Sequence, residues 1–157
     1  MSITYRQMLP TESDRAAALH RSVGRATWSW TPDLTTPEME QAMYRDVAFV
    51  AGMVVGAFDG DELIGFIATE PGWVEHLYVA IDRQGQGIGT ALLRHAMEEQ
   101  VDLQLWTYQA NLATRKFYER HGFCVAETTD GQSLPEREPN VRYHWQKNDR
   151  SLSSCAA

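Results

Sequence analysis

The amino-acid sequence predicts an α/β protein with a mixed sheet and helices on both faces. Runs rich in β-branched and aromatic residues alternate along the chain with segments whose apolar residues recur at helical spacing. Three alternate glycines, Gly85, Gly87 and Gly89, stand directly between one strand-like run and one amphipathic segment. Glycines at such a place indicate a tight strand-to-helix turn, because they adopt backbone angles that other residues avoid.

The first half of the chain predicts one strand, two helices and a β-hairpin. Alternating residues favour a strand first, and a Thr-Glu-Ser-Asp sequence then opens a helix with apolar residues at helical spacing. Thr36 can cap a second helix, since its hydroxyl is a good N-cap group and Pro37 suits the first turn. An Asp-Gly turn joins the two hairpin strands. The predicted segments are residues 3–8, 11–26, a helix from 36 onward, 54–58 and 63–68.

The second half of the chain alternates strands with helices. A buried strand precedes the three glycines, and the helix after them has Ile88, Leu92 and Ala96 on one face. A strand, a helix and a closing antiparallel pair of strands follow. The predicted strands are residues 73–81, 103–108, 123–128 and 141–146, and the helices are residues 88–99 and a segment from 111 onward. One domain is expected over residues 1–147, with a C-terminal tail over 148–157.

The composition limits the classes of partner. The 157 residues fit one domain, and the formal net charge of −7 argues against nucleic acid or an anionic membrane, because such partners need a dense basic surface. No run approaches the roughly 18 apolar residues of a membrane helix, and no leader-like apolar segment is present. Cys124 and Cys155 are too few for a disulfide framework and have no metal-ligand spacing. We therefore expect a cytoplasmic protein with no metal.

The glycine-rich turn predicts a cradle for a phosphate group. Unpaired N–H groups at a helix N-terminus attract anions, and glycines let the backbone approach them closely. The dinucleotide fingerprint does not fit, because Thr90 stands where its third glycine is required, and no Gly-Lys-Ser/Thr follows as in a P-loop. The pattern that fits is Q-x-x-G-x-G, which begins at Gln84 and ends at Gly89.

A second motif follows at residues 111–123, Asn-Leu-Ala-Thr-Arg-Lys-Phe-Tyr-Glu-Arg-His-Gly-Phe. It fits N-x-x-A-x-x-F-Y-E-x-x-G-F with one departure, Thr114 in place of the usual alanine. In this order and spacing, the two motifs resemble motifs A and B of the GNAT superfamily of acyl-CoA-dependent N-acyltransferases. The resemblance covers residues 54–145.

The resemblance implies a GNAT fold and an acetyl transfer reaction. The expected sheet is mixed, mostly antiparallel and six- to seven-stranded, with about four helices on its two faces. The expected reaction moves an acetyl group from acetyl-CoA to a primary amine by direct attack in a ternary complex. A non-catalytic acyl-CoA-binding sensor is the alternative. Homodimers are common in the family, so a homodimer is a further expectation.

The resemblance also implies which residues bind the cosubstrate. The strand before the glycines receives the pantetheine arm, the glycine turn receives the pyrophosphate, and the helix of the second motif lines the site. The residues carried over are Leu77, Tyr78, Val79, Gln84, Gly85, Gln86, Gly87, Ile88, Gly89, Thr90, Asn111, Arg115 and Tyr118.

Helical spacing gives the second motif a polar face. At 100° per residue, Asn111, Thr114, Arg115 and Tyr118 lie within one arc, whereas Ala113 and Phe117 point elsewhere. If that face lines the cosubstrate, Tyr118 can protonate the departing thiolate, because a phenol with a pKa of about 10 is protonated at neutral pH. A core tyrosine and a plain N-cap asparagine are the structural alternatives.

The base that takes the amine proton is sought on residues 73–81. Strand alternation places Glu75 on the face of Leu77 and Val79, and His76 on the opposite face with Tyr78. We expect Glu75 to act through a water molecule, because a carboxylate with a pKa of about 4.3 is a poor direct base for an ammonium. His76 remains an alternative, and either residue could simply be a polar group at a solvated strand. In this family the segment that contains Trp28 borders the acceptor pocket.

Overall fold

The computed structural model describes residues 2–147, which form one seven-stranded sheet flanked by four helices. The strands are β1 Ile3–Gln7, β2 Met53–Asp59, β3 Glu62–Glu70, β4 Trp73–Val79, β5 Asp102–Tyr108, β6 Cys124–Thr129 and β7 Asn140–Gln146. The helices are α1 Ser13–Thr27, α2 Pro37–Met43, α3 Ile88–Glu99 and α4 Leu112–Arg120. The predicted fold class is confirmed. The expected C-terminal tail, residues 148–157, lies outside the described residues.

The order of strands across the sheet is β1-β2-β3-β4-β5-β7-β6. Every neighbouring pair is antiparallel except β4 and β5. In that parallel pair only Trp73 and Gln104 are in register. Next to this position, Gln104 N donates a hydrogen bond to Gly72 O at 2.8 Å. Beyond this point β4 and β5 diverge and open a gap in the middle of the sheet.

Separate apolar clusters cover the two faces of the sheet. On one face, α3 contributes Leu92 and Leu93, and α4 contributes Tyr118. On the other face, Ala16 and Ala17 of α1 pack with Tyr44, in the π-helical segment Tyr44–Ala48 that continues α2. Within residues 2–147 no helix is both long and apolar enough to span a bilayer.

Strand alternation fails at one place in β4. Ala68 of β3 lies opposite His76, but the next residue, Thr69, lies opposite Val74, so Glu75 is the extra residue of a β-bulge. Val74 and Leu77 therefore pack into the same apolar cluster, although they are three positions apart. The prediction of an unbroken alternation through residues 73–81 is wrong, because a bulge shifts side chains to the other face.

Helix α3 packs very closely on β3 at Gly65. A Cβ atom there would lie 3.2 Å from Ile88 Cγ2, 3.2 Å from Tyr78 O and 3.3 Å from Leu92 Cδ1. These contacts are tighter than ordinary packing allows. Gly65 therefore fixes the height of α3 above the sheet, and with it the position of the glycine turn that precedes the helix.

We predict that Gly65→Ala lowers the free energy of unfolding by about 1–3 kcal/mol, because the added methyl group overpacks the contact with α3. Gly24→Ala is the control. It lies inside α1, where a Cβ would meet the Trp28 ring at an ordinary 3.5 Å, so it should raise stability by about 0.5–1 kcal/mol. Urea unfolding measures both, and a neutral Gly65→Ala would contradict the close-packing argument.

Candidate active site

A cleft of about 660 Å³ opens where β4 and β5 diverge. Its walls come from both faces of the sheet. The start of α3 and helix α4 line it on one face, and Val23, Thr27 and Trp28 at the end of α1 line it on the other. The cleft at the gap between the strands therefore reaches both faces of the sheet.

The backbone of β4 presents hydrogen-bonding groups to this cleft. Ala80 N donates to Ile64 O at 2.9 Å. Since hydrogen-bonded and non-bonded pairs alternate in an antiparallel ladder, Tyr78 bonds to β3, whereas the N–H and C=O groups of Leu77 and Val79 point away from β3 toward the gap. One of these groups is engaged, because Gln84 Nε2 donates to Val79 O at 3.0 Å. Tyr78 also lines the cleft, although its backbone bonds to β3.

The glycine turn leads into α3 at one end of the cleft. Gly85 and Gly87 have φ angles of 78° and 84°, and a Cβ atom at either would meet nothing within 4 Å. The first bond of α3 runs from Ala91 N to Gly87 O, so the N–H groups before Ala91 have no helical acceptor. This is the arrangement that a phosphate group requires.

Most residues predicted for the turn line the cleft, with one exception. The lining residues are Gln84, Gly85, Gly87, Ile88, Gly89 and Thr90, whereas Gln86 does not line it. Arg83 lines the cleft, and its guanidinium also forms an ion pair with Asp59 at 3.0 Å. This pair ties the cradle to the β2–β3 hairpin.

Asn111 caps α4 and also lines the cleft. Its Oδ1 accepts a hydrogen bond from Thr114 N at 3.3 Å, which caps α4. Its Nδ2 is buried and has no hydrogen-bond partner in the described structure. Asn111 is only 7% exposed and lines the cleft. An unpaired donor at this depth costs free energy unless a ligand supplies an acceptor.

The face of α4 that lines the cleft differs from the predicted arc. Asn111, Thr114 and Tyr118 line it as expected, but Ala113 and Phe117 line it too. Arg115 does not. Its Nε donates to Tyr143 Oη at 3.0 Å and its Nη1 to Gln109 O at 3.3 Å. β7 and the preceding turn hold the guanidinium, because Arg115 lies at the edge of the arc. A role of Arg115 in binding the cosubstrate stays a prediction.

Tyr118 lies between the apolar core and the cleft. It is 6% exposed, and its ring packs against Phe117 and Phe123 at centroid distances of 5.1 and 5.4 Å. Burial raises the pKa of the Tyr118 hydroxyl above its usual value. The phenol is therefore protonated at neutral pH and available as a proton donor. It serves packing and borders the cleft at once.

Glu75 and His76 both line the cleft, in contrasting surroundings. Glu75 is exposed at the bulge, and its pKa is raised first by partial burial and then by the nearby charge of Glu70. Burial and the neighbouring His20 lower the pKa of His76 to about 4. The imidazole of His76 is therefore neutral at pH 7, whereas Glu75 is the charged group at the rim.

The α1 side of the cleft is rich in aromatic rings. Trp28 packs edge-on against Tyr78 (5.9 Å between centroids) and against Tyr108 (5.6 Å). His20 stacks on Tyr78 at 4.5 Å, and its Nδ1 lies 2.8 Å from Tyr44 Oη. The family resemblance had pointed to Trp28, but sequence patterns gave no local signal for Val23 and Thr27, because tertiary packing alone brings them to the cleft.

A comparison with models of protein families identifies the chain. Residues 40–125, more than half of its length, match the acetyltransferase (GNAT) domain. The chain belongs to the GNAT family. It is accordingly an acetyl-CoA-dependent acyltransferase, and the matched segment contains both the glycine turn and α4.

Similar proteins support the same family. The peptidyl-lysine N-acetyltransferase YjaB of Salmonella typhimurium is 27% identical over 139 residues, which cover 88% of this chain and 95% of the relative. The solution structure of apo-form YjaB from Escherichia coli has a TM-score of 0.74 at 21% identity, covering 92% of this chain and 98% of the other. YncA from Salmonella typhimurium, determined with acetyl-CoA, has a TM-score of 0.74 at 14% identity and covers 99% of this chain and all of its own.

The GNAT cradle gives a matched pair of glycine variants. We predict that Gly87→Ala weakens CoA binding by about tenfold or more, because its Cβ would project into the space beside the helix N-terminus. Gly60→Ala is the control, since Gly60 in the β2–β3 turn has a φ of 61° and also meets nothing within 4 Å. Both variants should lose about 1–2 kcal/mol of stability through backbone strain.

Isothermal titration with CoA and urea unfolding test this pair. Equal CoA affinity in Gly87→Ala and Gly60→Ala would show that the turn at Gly87 is structural and that the phosphates bind elsewhere.

Proposed function

We propose that this GNAT enzyme transfers the acetyl group of acetyl-CoA to a primary amine by direct attack within a ternary complex. The observation that carries the proposal is the cleft that reaches both faces of the sheet. The glycine turn lies at one end and the aromatic end of α1 at the other, so two substrates that enter from opposite faces can meet between β4 and β5. Direct attack needs this simultaneous access.

The residues present fit acetyl-CoA. Free N–H groups before Ala91 suit the pyrophosphate, and the outward-facing backbone of Leu77 and Val79 suits an extended arm with amide groups. The buried Nδ2 of Asn111 needs an acceptor that an amide carbonyl can supply. In this proposal Val79 N–H faces the thioester carbonyl, where it can stabilise the oxyanion.

Two side chains handle the protons. The amine nitrogen forms its bond to the acetyl carbon, and the carbon–sulfur bond breaks. Glu75 accepts the proton that the amine gives up, through a water molecule, and Tyr118 donates a proton to the departing sulfur. The rim position of Glu75 supports its part, because a carboxylate there exchanges protons with solvent readily.

The first acceptor to test is a lysine side chain in a peptide. The relative from Salmonella typhimurium is named for that activity. A lysine ammonium is also compatible with the net charge of −7 on this chain. The acceptor panel should further include free amino acids, alkylamines and polyamines.

The experiment is a release assay for the free thiol of CoA, with acetyl-CoA and this amine panel. Thiol release that depends on an amine, with a matching acetylated product by mass spectrometry, supports the proposal. Tight binding of acetyl-CoA without thiol release from any amine would instead favour a sensor of acyl-CoA.

We predict that Tyr118→Phe lowers kcat by about 10- to 10⁴-fold, because it removes the proton donor for the thiolate and keeps the ring. The free energy of unfolding should change little, since the aromatic contacts with Phe117 and Phe123 remain. Steady-state kinetics and urea unfolding measure the two effects. An unaltered kcat, with chemistry shown to limit the rate, would make Tyr118 a packing residue only.

We predict that Glu75→Gln lowers kcat/KM for the amine at neutral pH, and that activity recovers partly as pH rises toward the pKa of the amine, where less deprotonation is needed. His76→Asn should show neither effect.

In the wild type, activity falls as pH drops through the raised pKa of Glu75, so Glu70→Gln should move this loss to lower pH.

Profiles of kcat/KM against pH for the three variants test these expectations. If His76→Asn lowers kcat/KM at neutral pH and recovers at high pH, while Glu75→Gln leaves kcat/KM unchanged, then His76 and not Glu75 is the base.

A further inference from the structure

Resting on the proposed function, we propose that the preferred acceptor is a lysine flanked by further cationic residues in a peptide. Its stem passes the rings of Trp28 and Tyr78, and a flanking cation meets Glu136 and Glu138. The inference joins three observations near the α1 end of the cleft, which are an aromatic wall, two carboxylates without a cationic partner among the described residues, and a buried donor without a partner.

The aromatic wall suits a long, thin, positively charged side chain. Trp28 is held edge-on between Tyr78 and Tyr108, so its ring keeps a fixed orientation beside the cleft. His76 lies 6.2 Å from Tyr78 in a stacked arrangement and is uncharged at neutral pH. Aromatic faces attract ammonium groups and pack well against the methylene groups of lysine.

The carboxylates at this end lack cationic partners. Glu136 and Glu138 belong to the segment between β6 and β7, whose end lies beside Tyr108, since Asn140 is opposite Tyr108 in the sheet and Gln109 N donates to Pro139 O at 2.9 Å. Glu136 also hydrogen-bonds with the Tyr108 hydroxyl, and both carboxylates add to the effect of burial in raising the pKa of Tyr108. Tyr108 contacts Trp28, which lines the cleft, so the two carboxylates lie outside the cleft lining but near its acceptor end, where a residue that flanks the lysine can reach them. They are half-buried, and neither forms an ion pair within residues 2–147.

Two of the less exposed carboxylates elsewhere in the described residues do have an arginine partner. Glu12 forms an ion pair with Arg6 at 2.8 Å, and Glu40 with Arg21 at 3.1 Å. Glu70 lies near Glu75, again without an ion pair to a described residue. Half-buried carboxylates are destabilising unless compensated, so a cationic ligand gains most where no arginine has satisfied them.

The buried donor favours a peptide over a free polyamine. Trp28 Nε1 is buried, and it has no hydrogen-bond partner in the described structure. It can donate to a carbonyl oxygen, which a peptide bond supplies next to the lysine. A fully protonated polyamine offers only donors and would leave this N–H unsatisfied.

Short peptides with blocked termini and one central lysine test the proposal. The lysine is flanked on both sides by arginine, glutamine or glutamate, so that the reactive amine is the same throughout. We expect kcat/KM to follow the order arginine, glutamine, glutamate. The kcat/KM values of the arginine and glutamate peptides should differ by about 5- to 25-fold, mainly through KM. The reason is that each exposed ion pair changes affinity by up to about fivefold. High salt should reduce the difference.

Charge-neutralised variants locate the effect. In Glu136→Gln/Glu138→Gln the ratio between the arginine and glutamate peptides should fall toward one. Glu98→Gln/Glu99→Gln is the control with the same change of net charge. Both of its carboxylates are exposed at the far end of α3 from the glycine turn, and its ratio should equal that of the wild type. Trp28→Phe should lose about tenfold more activity toward the lysine peptides than toward pentylamine, since the smaller ring affects both substrates whereas the lost N–H donor affects only the peptides.

The outcomes separate this inference from the function on which it rests. Equal kcat/KM for the three peptides, or a ratio unchanged in Glu136→Gln/Glu138→Gln, overturns the inference. If the enzyme acetylates polyamines or alkylamines but no peptide, the inference is also overturned. The acetyltransferase proposal stands in that case. If no amine releases thiol, the acetyltransferase proposal fails. In that case, fluorescence anisotropy measures the affinity of the same peptides for the CoA-loaded protein and tests the inference separately. Equal affinities overturn the inference, and tighter binding of the arginine peptide supports it.

Discussion

The site depends on one interrupted strand pair. β4 and β5 meet in register only at Trp73 and Gln104 and then diverge, so the backbone groups of Leu77 and Val79 have no neighbouring strand to bond on that side. Buried backbone groups need partners, and a gap of this kind is stable only if water or a ligand supplies them. The same gap joins the two faces of the sheet. Access for two substrates and donors for an extended ligand thus come from a single feature of topology.

The glycine turn works because α3 is held close to that gap. Gly65 lets the helix approach β3 closely, and the pair of Arg83 with Asp59 ties the turn to the neighbouring hairpin. Two residues with left-handed backbone angles, Gly85 and Gly87, then direct the free N–H groups of the first turn into the cleft. Packing beneath the helix and backbone freedom before it are both needed. Either one alone would leave the N–H groups pointing at no common position.

Periodicity predicted most of the fold, since helices and strands depend on local patterns. The helix at residues 88–99 has the predicted bounds, and Asn111 caps α4 as a good N-cap residue should. The bulge at Glu75 could not be predicted, because one extra residue leaves no mark in an alternating pattern. Arg115 lay within the predicted arc of α4, but Tyr143 on β7 determines where its guanidinium points. Contacts between distant segments decided both of these departures, and they also brought α1 to the cleft.

The arrangement of charge suggests where the amine loses its proton. Carboxylates lie at the rim of the acceptor end, and the groups behind them are aromatic or neutral, including His76 with a pKa of about 4. An ammonium that moves inward past Trp28 gives up hydration, which lowers its own pKa and favours deprotonation. A proton released inward would reach an imidazole that binds it poorly, whereas one released outward reaches Glu75 and solvent. In the proposed reaction, this gradient from charged rim to neutral interior attracts the cation and delivers a neutral amine to the thioester.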